Sequence, residues 1–207
     1  MYYGEKLNSI SHLVGAVFSL VAFGALLTLS IETGDPRMIV GFSVFGLTLV
    51  LLYAMSTLYH SFQAPGLKRV FKLLDHISIY LLIAGTYTPL MLISVDSPSG
   101  TLILSLVWGL AIVGTLSEIF LSGTAVKVCQ LLIYLGMGWA CSLDLPSLKA
   151  GLPEAGFIWL VHNFDEICQA VLYRQHGGVI CQPGGNPATG IAIDLVGYLH
   201  PAIIQRL

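Results

Sequence analysis

The sequence predicts an all-α protein, a polytopic transmembrane helix bundle, and three observations carry that prediction. Of its 207 residues, 56% are hydrophobic and only 10% are charged, whereas a soluble domain carries about 25% charged residues to solvate its surface. Mean hydropathy is +0.83. Five stretches are also apolar enough to cross a hydrocarbon core about 30 Å thick, which takes about 20 residues rising about 1.5 Å each. Lipid is the expected solvent for most of the chain.

The first span covers residues 11–31 and holds no full charge. It is too long for a signal-peptide core, and no small-residue cleavage site follows it cleanly, so it is expected to stay. The second span covers 38–59. The third covers 77–95, and Gly85 and Pro89 are expected to bend it, as a bundle tolerates. The fourth covers 101–117 and ends at Glu118. The fifth covers 128–143 and is closed by Asp144 and Pro146.

A sixth span starts at Phe157-Ile158-Trp159-Leu160-Val161 and then fails, because His162, Asn163, Asp165 and Glu166 follow at once. Residues 175–190 are rich in Gly and Pro and read as loop. Residues 191–199 are too short to span and carry Asp194. The chain therefore divides into a transmembrane domain, 1–160, and an atypical, irregular tail, 161–207. The abruptness of the break is read as an altered reading frame or a truncated gene near residue 161.

Orientation follows from Lys and Arg in short loops. Lys68, Arg69 and Lys72 lie between spans two and three, and Lys127 lies between four and five. The loop between spans one and two holds Glu32, Asp35 and Arg37, and the one between three and four holds Asp96. Basic loops alternate with poor ones, which places the N-terminus in the cytoplasm; the expected location is the cell inner membrane. The net charge of −2 indicates no partner, and no basic-aromatic stripe suggests nucleic acid. The expected partner is the lipid bilayer; oligomeric state is not legible. Cys129, Cys141, Cys168 and Cys181 lack CxxC spacing and read as small apolar fillers.

Three polar groups fall at the cytoplasmic ends of the spans. Glu5, Asn8 and His12 share one helical face at i, i+3 and i+7. Ser56 and His60 close the second span at i, i+4, and Asp75 and His76 open the third. Ionisable residues near a membrane usually face a bundle interior or a cavity, so the three groups read as one site. The plainer alternative is that each caps a helix, and Asp75 ahead of an apolar run suits a helix N-terminus on dipole grounds. Glu118 and Asp144 read as headgroup-facing. Tyr80, Tyr87, Trp108 and Trp139 read as packing or interfacial aromatics.

The same residues carry a resemblance. Glu5 to His12 is similar to the E-x-x-N-x-x-S-H opening of the hemolysin III branch of the progestin and adipoQ receptor superfamily. Ser56-Thr57-Leu58-Tyr59-His60 resembles its S-T-L-Y-H motif, and Asp75 to Pro89 resembles its D-H-x-x-I-Y-x-x-I-A-G-T-Y-T-P run. Gly136-Met137-Gly138-Trp139 resembles a fifth-span signature.

The resemblance implies a seven-helix bundle with a cytoplasmic N-terminus. It also implies a zinc ion held by His60 and by two histidines spaced H-x-x-x-H on a seventh span. Asp75 would hold the zinc-bound water, with Ser56 beside it. Three imidazoles leave a coordination position open, and the metal lowers the pKa of its water toward about 7. The implied reaction is hydrolysis of an amide or ester in a lipid-like substrate.

This chain contains no H-x-x-x-H. His162, His176 and His200 all follow the break, and the His162–Glu166 pair does not lie in a seventh-span pattern. The expectation is a family integral membrane protein whose zinc hydrolase site is incomplete. Two alternatives stand beside it: a membrane-perturbing, pore-forming cytolytic protein, and a receptor-like protein that binds lipid without turnover. No amphipathic cationic helix or repeated ring of charge supports a pore.

Overall fold

The computed structural model describes residues 5–95, 97–158 and 160–162. Helix punctuation by proline and glycine sets its elements. The first helix, α1 (Lys6–Thr33), stops at Gly34, whose φ of 68° is the left-handed conformation that ends helices most cheaply. Pro36 then opens α2 (Pro36–Ser61), and Asp35 caps it by accepting from the Arg37 amide at 2.8 Å. Pro65 opens α3 (Pro65–Pro89). Pro98 opens α4 (Pro98–Phe120), whose cap Ser97 accepts from the Gly100 amide. Then come α5 (Thr124–Trp139), a tight turn over Ala140–Asp144, and α6 (Leu145–Gly151), capped by Asp144. Residues 154–158 and 160–162 are also helical.

Five segments are long and apolar enough to cross a membrane: Lys6–Thr33, Pro36–Ser61, Pro65–Ser94, Pro98–Phe120 and Thr124–Gly151. The five expected spans are all present, each starting earlier than hydropathy alone placed it. Among the described residues there is no strand. The start of the expected sixth span, residues 157–158 and 160–161, is helical, and the tail from residue 163 lies outside the described residues.

The largest displacement is at α3. It begins at Pro65, not near residue 77, because the helix continues through Lys68, Arg69 and Lys72, which a hydropathy reading assigns to a loop. Asp75 and His76 therefore sit in the third turn of α3 and do not open it. The capping alternative for Asp75 fails on that ground. Helix α3 runs on through Pro89, which has no amide hydrogen to donate, and the five residues Leu90–Ser94 widen into a π-helical turn. The helix is regular through Gly85, and its departure from α geometry follows Pro89 directly.

Consecutive helices pack antiparallel: α2 on α1, α3 on α2, and α4 on α3, with α5 against α3 and α4. Half of the spanning part of α2 and of α3 is buried, 50% each, against 22% for α1, α4 and α5. The outer three helices turn residues such as Phe18, Val21, Leu102 and Ile112 outward, as a lipid-facing surface requires. One core cluster lies between α1 and α2 around Phe42, Phe45 and Tyr53, and a second lies between α3, α4 and α5 around Tyr80, Val107 and Met137.

Lipid gives apolar side chains no reason to leave it, so close backbone approach holds the helices together. The buried face of α1 is Ser9, Gly15, Ser19, Leu26 and Ser30. Hydroxyls on these helices return their hydrogen to the preceding turn, as Ser30 does to the Leu26 carbonyl (2.6 Å) and Thr57 to that of Tyr53 (2.6 Å). Tyr87 ties the far end of the bundle together. Its hydroxyl donates to the Gly138 carbonyl at 2.8 Å and accepts from the Cys141 amide at 2.9 Å.

Candidate functional site

Antiparallel packing brings the start of α1, the end of α2 and the start of α3 to one membrane face, termed here the near face. Glu5, just ahead of α1, meets Lys68 in the first turn of α3. The Lys68 Nζ donates to both carboxylate oxygens, at 2.8 and 3.0 Å. The Lys68 ammonium beside it holds the Glu5 carboxyl below its ordinary pKa of 4.5, with a smaller contribution from His60. Glu5 is thus a carboxylate in neutral solution.

The second partner of that carboxylate is His60, at the end of α2. Its Nδ1 lies 3.6 Å from Glu5 Oε2. The His60 ring stacks on His12 with centroids 5.5 Å apart and planes 24° apart, and Tyr59 lies tilted against it at 4.7 Å. Lys68 also stands 5.4 Å from the centre of the Tyr59 ring. One turn toward the N-terminus of α1 from His12, Ser9 shares a 2.7 Å hydrogen bond with Ser61, which pins α1 to the end of α2. Both His12 Nδ1 and His60 Nδ1 are buried with no partner at hydrogen-bond distance.

Ser56 lies one turn before His60 on the same side of α2 and is buried. Asp75 is two turns beyond Lys68, on the same side of α3. That side of α3 is the one from which Lys68 reaches Glu5. The structure therefore brings Glu5, His12, His60, Ser56 and Asp75 toward one region between α1, α2 and α3. Asn8 is not part of it: its side chain is exposed, and its carbonyl accepts from Ser11.

His76 is not part of it either. One residue further along α3 turns a side chain by about 100°, and His76 faces α4. There its Nδ1 lies 3.4 Å from Oε2 of Glu118, a carboxylate only 13% exposed. Around them the Gln130 amide donates to Ser117 at 3.3 Å and the Tyr134 hydroxyl donates to the His76 carbonyl at 3.1 Å. Tyr134 also stacks on Tyr80 with centroids 4.0 Å apart. Glu118 thus departs from the headgroup position expected of it. On the far face Asp144 accepts from Ser99 and from the Ser147 amide, a helix-capping role.

Tyr80 and Tyr87 are core residues, Trp108 donates to Thr88 at 3.2 Å, and Trp139 is 55% exposed. Cys129 and Cys141 are free; Cys168 and Cys181 lie outside the described residues. Sequence reasoning missed Lys68 as a site residue, because its charge was absorbed by the loop-orientation argument. It missed the Glu118 pairing because the partner is 42 residues away.

Among the described residues, no three His, Cys, Asp or Glu side chains are grouped so as to hold a metal ion. The described part of the chain therefore does not fit a complete zinc centre. It offers His60 and two carboxylates that are otherwise placed, while His176 and His200 lie outside the described residues.

A family model described as Haemolysin-III related matches residues 2–180, a range that extends beyond the composition break at 161. Hemolysin-3 of Bacillus cereus is 39% identical over 157 residues, covering 76% of this chain and 71% of that protein. The Hemolysin-3 homolog of Bacillus subtilis (strain 168) is 37% identical over 153 residues, covering 74% and 71%. The human Monocyte to macrophage differentiation factor is 28% identical over 144 residues, covering 66% of this chain and 58% of that protein. No solved structure matches the chain.

Proposed function

The chain belongs to the haemolysin-III related family of integral membrane proteins, and on that premise we propose that its near face carries a family-type hydrolase site for an amide or ester in a lipid-like substrate. His60 is the centre of that site, Asp75 its water-orienting carboxylate and Ser56 the group beside the substrate carbonyl. The metal set is incomplete within the described residues, so no step is assigned to zinc. The near face is cytoplasmic and the membrane is the inner one. Lys6, Lys68, Arg69, Lys72 and Lys127 all fall on this face, against Arg37 and Lys149 on the other, which supports that orientation.

The observation that carries the reading is the setting of His60. Its ring is confined by His12, Tyr59 and Glu5, and the 17% of its side chain that stays exposed excludes the buried Nδ1. An imidazole immobilised with one edge open is what a ligand or general base requires. Hydroxyl-rich packing alone does not call for it.

Elemental analysis of the detergent-purified protein beside a His60→Ala variant tests this reading. The incomplete set predicts well under one zinc per chain after dialysis against a chelator. About one zinc per chain, lost with His60, overturns the incompleteness and makes a full zinc hydrolase the reading. The name Hemolysin-3 borne by the Bacillus cereus relative supports a second reading, membrane perturbation. Dye release from liposomes holding the purified protein, unchanged in His60→Ala and Asp75→Ala variants, would favour it over the hydrolase.

A further inference from the structure

The near-face cluster contains an ion pair that the proposed chemistry does not use. Glu5 and Lys68 join the segment ahead of α1 to the first turn of α3, and a simple tether would do that anywhere along the two helices. Here it stands against the buried nitrogen of His60, which nothing else serves. His60 Nδ1 is buried and has no hydrogen-bond partner, and the nearest carboxylate is Glu5 at 3.6 Å. Both oxygens of Glu5 are held by Lys68, so the carboxylate has a fixed place and not a swing of rotamers. His12 and Tyr59 close on the ring of His60, which leaves its in-plane orientation to be set by whatever faces Nδ1.

We infer that Glu5, clamped by Lys68, is a positioning residue for His60: it draws the imidazole proton to Nδ1 and turns Nε2 toward the site. A carboxylate behind a functional histidine fixes its tautomer in this way and makes the opposite nitrogen the acceptor. Closing the last few tenths of an ångström between Oε2 and Nδ1 needs only a small rotation of either side chain, and Nδ1–H then donates to the carboxylate. Lys68 Nζ donates to both oxygens of that carboxylate, which therefore faces Nδ1 as an acceptor. Lys68 thereby acts at one remove, through Glu5, and neither residue touches substrate. The Ser9–Ser61 bond holds α1 to α2 beside them, but it makes no contact with the ring and can fix no tautomer.

The inference rests on the proposed site, since it gives His60 a role to be positioned for, yet its test is separate. Histidines are labelled with 15N and the full chain is placed in nanodiscs at a pH where imidazole is neutral. The His60 signal is assigned by its loss in a His60→Gln variant. The Nδ1–H tautomer is expected to dominate at His60. In Glu5→Ala it should give way to the Nε2–H form that a free histidine side chain prefers, and Lys68→Met should move it the same way, by less. A Ser9→Ala variant, which loosens α1 without touching the ring, should leave the tautomer as it is. An Nε2–H tautomer at His60 in the unaltered protein, or the same tautomer with and without Glu5, would overturn the inference. Zinc content and hydrolysis can fail while the tautomer result stands, so the two readings are told apart.

Discussion

Substituting Gly15 by alanine tests how tightly α1 must lie on α2. A Cβ built at Gly15 would stand 2.6 Å from both Cδ1 and Cε1 of Tyr53 and 3.2 Å from its Cγ. Carbon atoms pack best at about 3.5–4.0 Å, so ring or helix must give by about 1 Å. Tyr53 is 1% exposed and packed among Phe42, Phe45 and Leu49, so a displaced ring must push against them. Overpacking of this kind costs about 1–3 kcal/mol.

Gly24 lies on the same helix, and a Cβ there meets nothing within 4 Å. Gly24→Ala should gain between zero and about 1 kcal/mol, the upper end being the backbone benefit in an aqueous helix. Identical chemistry nine residues apart should therefore separate the two variants by about 1–4 kcal/mol. Reversible unfolding in mixed micelles titrated with dodecyl sulfate, followed by circular dichroism, gives both values. Should Gly15→Ala prove as stable as Gly24→Ala, the close α1–α2 contact argued here is wrong. With it would go the His12–His60 stack that the contact supports one turn away.

The Glu5–Lys68 pair has a pH signature of definite sign. A carboxyl whose pKa is lowered on folding adds stability above its ordinary value of 4.5 and loses it as pH falls through the lowered one. The gap between the unaltered protein and Lys68→Met should be flat from neutral pH down to the region of that value and close below it. Its size should be about 0.2–1 kcal/mol, because both side chains are partly exposed; denaturation midpoints across that range check it. Tyr87→Phe should cost about 1–3 kcal/mol, since it strands the buried Cys141 amide and removes a donor from the Gly138 carbonyl. Hydrogen exchange should then speed up at the Cys141 amide before it does so along α2.

The number of spans was legible because length and hydropathy measure what lipid demands of a segment. Boundaries were less legible where a helix carries charge outside the hydrocarbon, as α3 does through Lys68, Arg69 and Lys72. That twelve-residue misplacement made Asp75 look like a cap. Helical spacing placed Glu5 with His12 and Ser56 with His60, since those pairs share a face on one helix. It could not say that Asp75 and His76, adjacent in sequence, serve different neighbours, nor that Glu118 meets His76. Such pairings depend on how each helix is rotated against the next, and single-helix periodicity carries no information on that angle.

The placement of α3 between its neighbours couples those two pairings. Lys68 and Asp75 look one way from it, toward α1 and α2, and His76 looks the other, toward Glu118. All three ride on one rigid cylinder, so a twist of α3 about its own axis cannot adjust one side alone. A few degrees that bring Asp75 closer to His12 also swing His76 relative to Glu118, as two hands of a clock fixed to one spindle move together. The His76–Glu118 contact on the α4 side therefore sets a reference angle for the carboxylate on the α2 side, across the full width of a helix and without any contact between them.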